Sequence, residues 1–155
     1  ENDIKIDMIG QIFSMEYLKK IREDASAAYT VQAMASVDRD DFETIAQVFA
    51  VCPMKPEKAD TAIMILRDEA TSLAKTCDAE KLQKVKEYML KEHGDQVKQN
   101  SYWLSIMNGW RKYGIDFHSD FEKLVNAQTP ESISTFMAEL LKAGNRAEVI
   151  MLPAE

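Results

Sequence analysis

Two short segments, Ile21-Arg22-Glu23 and Ala28-Tyr29, place a guanidinium and a phenol seven positions apart. Arginine is charged throughout the accessible pH range and offers five N–H donors in a rigid fork, while tyrosine adds a neutral O–H donor. If Arg22 closes a helix and Tyr29 opens a strand, a short turn joins them. Both groups can then aim at one opening. The plainer alternative is an ordinary surface arginine beside a sheet tyrosine.

Other chemistries find fewer candidates. A hydrolytic zinc site needs about three convergent His, Asp, Glu or Cys ligands and one open position for water. The chain has two histidines, His93 and His118, and neither sits in H-E-x-x-H or H-x-x-E-H. A structural or surface role is expected for each, and no metal is expected on this chain. There is no G-x-S-x-G elbow, and the five glycines are scattered singly rather than gathered in a phosphate-binding loop. Cys52 and Cys77 lack C-x-x-C spacing and read as small buried hydrophobes. Tyr102, Trp103, Trp110 and Tyr113 resemble a stacking platform. Because Trp103 and Trp110 share one helical face, packing in the core or at a domain interface is the stronger expectation. The nine methionines read mainly as core filler.

The elements that must position Arg22 and Tyr29 follow from periodicity. Ile4, Met8, Ile12, Met15 and Leu18, widened by Ile9 and Phe13, predict an amphipathic helix from Ile4 to about Glu23. Alternation from Tyr29 to Val37 predicts a strand, and the apolar run Thr44 to Cys52 a second one, forming a hairpin closed by Pro53 and Pro56. Ala59, Ile63, Leu66, Ala70, Leu73 and Cys77 mark the next helix. Asp78 caps another, with Leu82, Val85 and Met89 inward; its pattern resumes at Trp103, Met107 and Trp110, with Gly94 as a kink or break. Ser119-Asp120-Phe121-Glu122 has the form of a capping box. Thr129-Pro130-Glu131 opens a last helix carrying Ile133, Phe136, Leu140 and Leu141, which Gly144 stops. Ala147 to Leu152 reads as a final strand. The order helix, strand, strand, helices, strand predicts an α+β fold with helices on one face of a small, mostly antiparallel sheet.

Bulk properties narrow the partners. With 155 residues, 46% hydrophobic and 29% charged, one core is expected, built without help from a disulfide or metal. A net charge of −7 argues against nucleic acid, which needs a concentrated basic face. Lys81, Lys84, Lys86 and Lys91 alternate with Glu80, Glu87 and Glu92 and read as a solvated helix face. No apolar run is long enough to span a membrane. The chain opens on Glu1 without a signal-like start, which fits a segment of a longer protein.

Several of these segments, in order, resemble one family. Leu18-Lys19-Lys20-Ile21-Arg22-Glu23 followed by Ala28-Tyr29-Thr30-Val31 is similar to the C-terminal-type, non-zinc-binding domain of insulysin/pitrilysin zinc peptidases. Leu82-Gln83-Lys84-Val85-Lys86, Gln99-Asn100-Ser101-Tyr102-Trp103-Leu104, Tyr113-Gly114, Phe121 to Ala127 and Thr129-Pro130-Glu131 continue the likeness to bacterial members, and Ala147 to Pro153 closes it. The resemblance spans residues 1–155 and implies one domain of a multi-domain enzyme, missing strands at its start. In that family an inverted H-x-x-E-H motif in another domain holds the zinc. A late domain supplies an Arg and a Tyr seven positions later, so the resemblance implies substrate-binding roles for Arg22 and Tyr29. It further implies an N-terminal zinc-binding domain of the same protein as partner, a peptide substrate, zinc in the parent enzyme only, and a bacterial envelope or periplasmic location. This chain alone is expected to cleave nothing. An incomplete sheet also suggests an edge-mediated homodimer. A zinc-less homologue acting as an assembly subunit is the alternative function, and an unrelated interaction domain a third.

Overall fold

The first helix is apolar nearly all the way round, and the remaining elements are arranged by the need to cover it. In the computed structural model, which describes residues 1–40 and 43–151, α1 (Asn2–Tyr17) buries Ile4, Ile6, Met8, Ile9, Ile12, Phe13 and Tyr17. Such a helix must be enclosed rather than laid on a surface. An antiparallel hairpin, β1 (Gln32–Arg39) and β2 (Thr44–Val51), covers one side. On the other lie α2 (Ala59–Lys75), α3 (Ala79–Gln96) and α6 (Pro130–Ala143). Of two further helices, α5 (Phe121–Ala127) packs on α3, and α4 (Asn100–Tyr113) meets α3 through Tyr102 and His93. The fold is α+β, with helices on one face of a two-stranded antiparallel sheet.

Close approach of helix and hairpin depends on small residues. A Cβ on Gly10 would lie 2.8 Å from the Cβ of Ala35, so α1 and β1 nearly touch there. Polar ties flank that contact: Ser14 Oγ donates to the Ala33 carbonyl at 3.1 Å, and Arg39 pairs with Asp3 at 2.7 Å. The hairpin's outer face stays open, with Met34, Ile45, Phe49 and Val51 each about half exposed.

At the far end of α1 the buried Glu16 carboxylate takes ion pairs from Lys20 and from Lys81 of α3, while Lys20 also bonds Glu69 of α2. Burial opposes ionisation of Glu16, but the two lysines outweigh it and hold its pKa below the usual value. Asp78 caps α3 by accepting the Lys81 amide at 3.0 Å, and Thr129 with Ser132 forms a reciprocal capping box on α6, ahead of Pro130 at the first turn. Gly144 ends α6 in the left-handed conformation, φ 76°.

Several sequence expectations are corrected. The α-helical part of the first helix stops at Tyr17, and Met15 and Leu18, expected on the buried stripe, are exposed. The Ser119–Glu122 capping box does not form. Asp116 instead accepts the amides of His118 and Ser119 and the Ser119 hydroxyl, leaving Asp120 at the start of α5. The break foreseen near Gly94 falls just after it: Gly94 lies inside α3, which ends two residues later at Gln96, and α4 is a separate helix. Residues 147–151 form no strand: Val149 and Met151 are almost fully exposed and have no sheet edge beside them, while Leu152 lies outside the described residues. Among the described residues no helix is long and apolar enough to cross a membrane.

Candidate functional site

Three departures from regular backbone meet where α1 hands the chain to the hairpin. Residues Leu18–Asp24 form a π-helical segment, with the Ala25 amide reaching back five residues to the Lys20 carbonyl at 3.0 Å. Wider turns of this kind reset the direction in which following side chains project, and they recur at functional sites. Ser26 then adopts φ 50°, the left-handed region that non-glycine residues visit rarely. Finally, the hairpin ladder shifts register. Gln32 pairs with Val51, yet Ala28 bridges Met54, so residues 29–31 stand opposite only Cys52 and Pro53. Such a bulge follows from Pro53, which has no N–H to complete the ladder, and a bulge re-aims a side chain.

Buried anchors hold the irregular segment in place. Ile21, Ala27, Ala28 and Val31 are all in the core. The Ala27 amide bonds the Ile21 carbonyl at 2.9 Å, and its carbonyl accepts the Lys55 amide at 3.1 Å.

Arg22 and Tyr29 are thereby brought together. The guanidinium carbon lies 5.3 Å from the centre of the Tyr29 ring, within cation–π range. Tyr29 is 84% exposed, and Arg22 is exposed too. Neither makes a hydrogen bond or ion pair with another described residue. Sequence alternation places Tyr29 inside the first strand, but the bulge displaces it ahead of β1, which begins at Gln32. Both groups are solvent-exposed, so a charged and a neutral donor lie close together at the surface.

A second polar cluster is invisible as a set in the sequence. Tyr102 of α4 sets its hydroxyl between two imidazoles, 3.1 Å from His93 Nε2 and 2.8 Å from His118 Nδ1. His93 is buried and stacks on Phe121 at 4.3 Å, and burial, then the neighbouring His118, keeps its pKa below the ordinary value. Only the i, i+9 spacing of His93 and Tyr102, across a helix break, hints at this contact. The tryptophans are not core residues: Trp103 is 40% exposed and Trp110 61%. Both cysteines are free, and burial raises their pKa values, that of Cys77 to about 11 with help from the Asp78 charge. No group of three or more His, Cys, Asp or Glu side chains converges among the described residues to hold a metal.

Comparison with solved structures finds this fold within proteases. The chain is similar to the periplasmic protease PqqL from Escherichia coli, with TM-score 0.68 and 22% identity over 86% of this chain. It is also similar to the ferredoxin protease FusC, solved as a point mutant in complex with Arabidopsis ferredoxin, with TM-score 0.63 and 18% identity over 89% of this chain. In both cases it spans about 15% of the other chain's length, and at these identities the likeness is one of fold. No protein-family profile matches the sequence, and no curated protein matches it.

Proposed function

We propose that residues 1–155 are an accessory, C-terminal-type domain of an insulysin/pitrilysin-type zinc metalloendopeptidase. Zinc is held by an N-terminal domain of the same protein, and this domain forms part of the chamber wall. Arg22 and Tyr29 donate hydrogen bonds to the backbone of a peptide substrate, stabilising charge that develops on the scissile carbonyl. The observation that carries this reading is the exposed Arg22–Tyr29 pair, 5.3 Å apart at a junction made of a π-helical segment, a left-handed Ser26 and a bulge. Fold likeness to two proteases of which this chain spans about 15% supports a role within a larger peptidase. Its likeness to a periplasmic protease supports a cell-envelope location.

The division of labour is tested on the isolated chain. Metal analysis after dialysis against micromolar zinc, with a peptide-cleavage assay alongside, is expected to find no stoichiometric zinc and no hydrolysis. Tight zinc binding accompanied by cleavage would sink the proposal.

The half-exposed apolar outer face of the hairpin, Met34, Ile45, Phe49 and Val51, favours a second reading, a zinc-less assembly subunit, because it suits a face covered in a larger body. An intact H-x-x-E-H motif in the parent sequence would decide for the peptidase, and its absence for the subunit.

A further inference from the structure

The two tryptophans of the chain lie on one face of α4, and the fold has built a groove around them. Gly114, at φ 67°, ends α4 in the left-handed region and turns the chain back. Gly109 then admits the returning segment: a Cβ there would lie 2.9 Å from the Phe117 ring, so a larger residue would have to displace that ring. The result is a groove of about 340 Å³ whose walls include Trp103, Met107 and Trp110 on one side and Asp116 and His118 on the other.

Its walls are held in place before anything binds. Trp103 donates its indole N–H to the Val97 carbonyl at 2.8 Å and packs edge-on against His118 at 4.7 Å. His118 is fixed in turn by the Tyr102 hydroxyl. Asp116 accepts three hydrogen bonds, the His118 and Ser119 amides on Oδ1 and the Ser119 hydroxyl on Oδ2. Those bonds hold its pKa at about 2, so the carboxylate is ionised. A carboxylate has about four lone-pair sites, so Oδ2 retains room for another donor.

Charge decides what fits. The groove lining contains a carboxylate and no lysine or arginine, while the rest of it includes two indoles and a thioether. Indole faces attract cations, and a guanidinium in particular can stack on an aromatic ring while donating to a carboxylate. We propose that the groove between α4 and residues 114–119 binds a basic side chain, an arginine above all, presented by a protein segment with apolar residues on either side.

Because both tryptophans line the groove, tryptophan emission, excited selectively over the five tyrosines, reports on this site. The probe is a capped peptide, leucine–arginine–leucine, compared with the same peptide carrying citrulline, which keeps the shape and loses the charge. A saturable emission change is expected for the arginine peptide, with binding about tenfold weaker for citrulline. Asp116→Asn should weaken the arginine peptide to the level of citrulline. Trp110→Ala, at an exposed position, should abolish the preference without changing the melting temperature. Equal affinity for the two peptides would overturn the proposal in favour of a purely apolar partner. No saturable response up to about 10 mM would overturn it outright. If sedimentation shows self-association that Trp110→Ala dissolves and the arginine peptide does not compete with, the occupant is a second copy, and the proposal fails.

Discussion

Arg22 and Tyr29 are recognisable by type and spacing, but their geometry is not. Sequence periodicity runs the first helix straight through Arg22 and puts Tyr29 inside a strand. A π-helical segment and a bulge take their place: the first is a local choice of the Lys20 carbonyl by the Ala25 amide that side-chain periodicity does not encode, and the second depends on Pro53 across the hairpin. Gly10 also carries meaning that its isolation in the sequence conceals. Gly10→Ala would drive a methyl into Ala35, and equilibrium denaturation should show a loss of about 1–3 kcal/mol, the usual cost of overpacking. His93 gives a pH signature. Its lowered pKa means that the fold favours the neutral ring, so its contribution is complete above the ordinary pKa of about 6.5 and is lost as pH falls through the folded value. Protonation meets His118 as a like charge, with only partial compensation from Glu122 Oε1, 3.9 Å from Nδ1. Denaturation curves taken downward from about pH 6.5 should therefore show falling stability in the wild type and a flatter profile in His93→Gln. Identical profiles would remove His93 from the account.

At the scale of elements, caps and turns are legible because their determinants are local. Asp78, Thr129, Pro130 and Gly144 each act within four residues, and each sits where its side chain or missing Cβ implies. Loss of the cap in Asp78→Ala or Thr129→Ala should cost about 1 kcal/mol each in equilibrium unfolding. Ser119 misleads because its hydroxyl and amide are both claimed by Asp116, a competition that no capping pattern encodes. The final strand misleads for a different reason. Residues 147–151 have the composition of a strand, but a strand exists only beside an edge, and Glu148 is drawn instead to Arg67 of α2 at 2.6 Å.

Across the whole molecule, α1 is the organising element, enclosed by the hairpin and the helical layer, and that arrangement is readable from the order of periodic segments. What faces outward is less so. The apolar α4 positions are expected in the core or at a domain interface; Trp103, Met107 and Trp110 are exposed and so lie outside this chain's core, since periodicity defines a helix face without naming what covers it. Among the described residues the two-stranded sheet has no further strand on either edge, and it keeps an apolar outer face. The isolated chain is accordingly predicted to self-associate through the hairpin, and sedimentation should show Met34→Lys shifting it toward monomer. As proposed above, this domain of a larger peptidase reaches a reaction centre whose metal lies elsewhere. Steady-state kinetics of Arg22→Ala and Tyr29→Phe in the full-length protein test it most directly. If the two groups donate to the reacting carbonyl, kcat should fall about 10²- to 10³-fold for each while KM changes much less. Unchanged turnover in both variants would contradict the account.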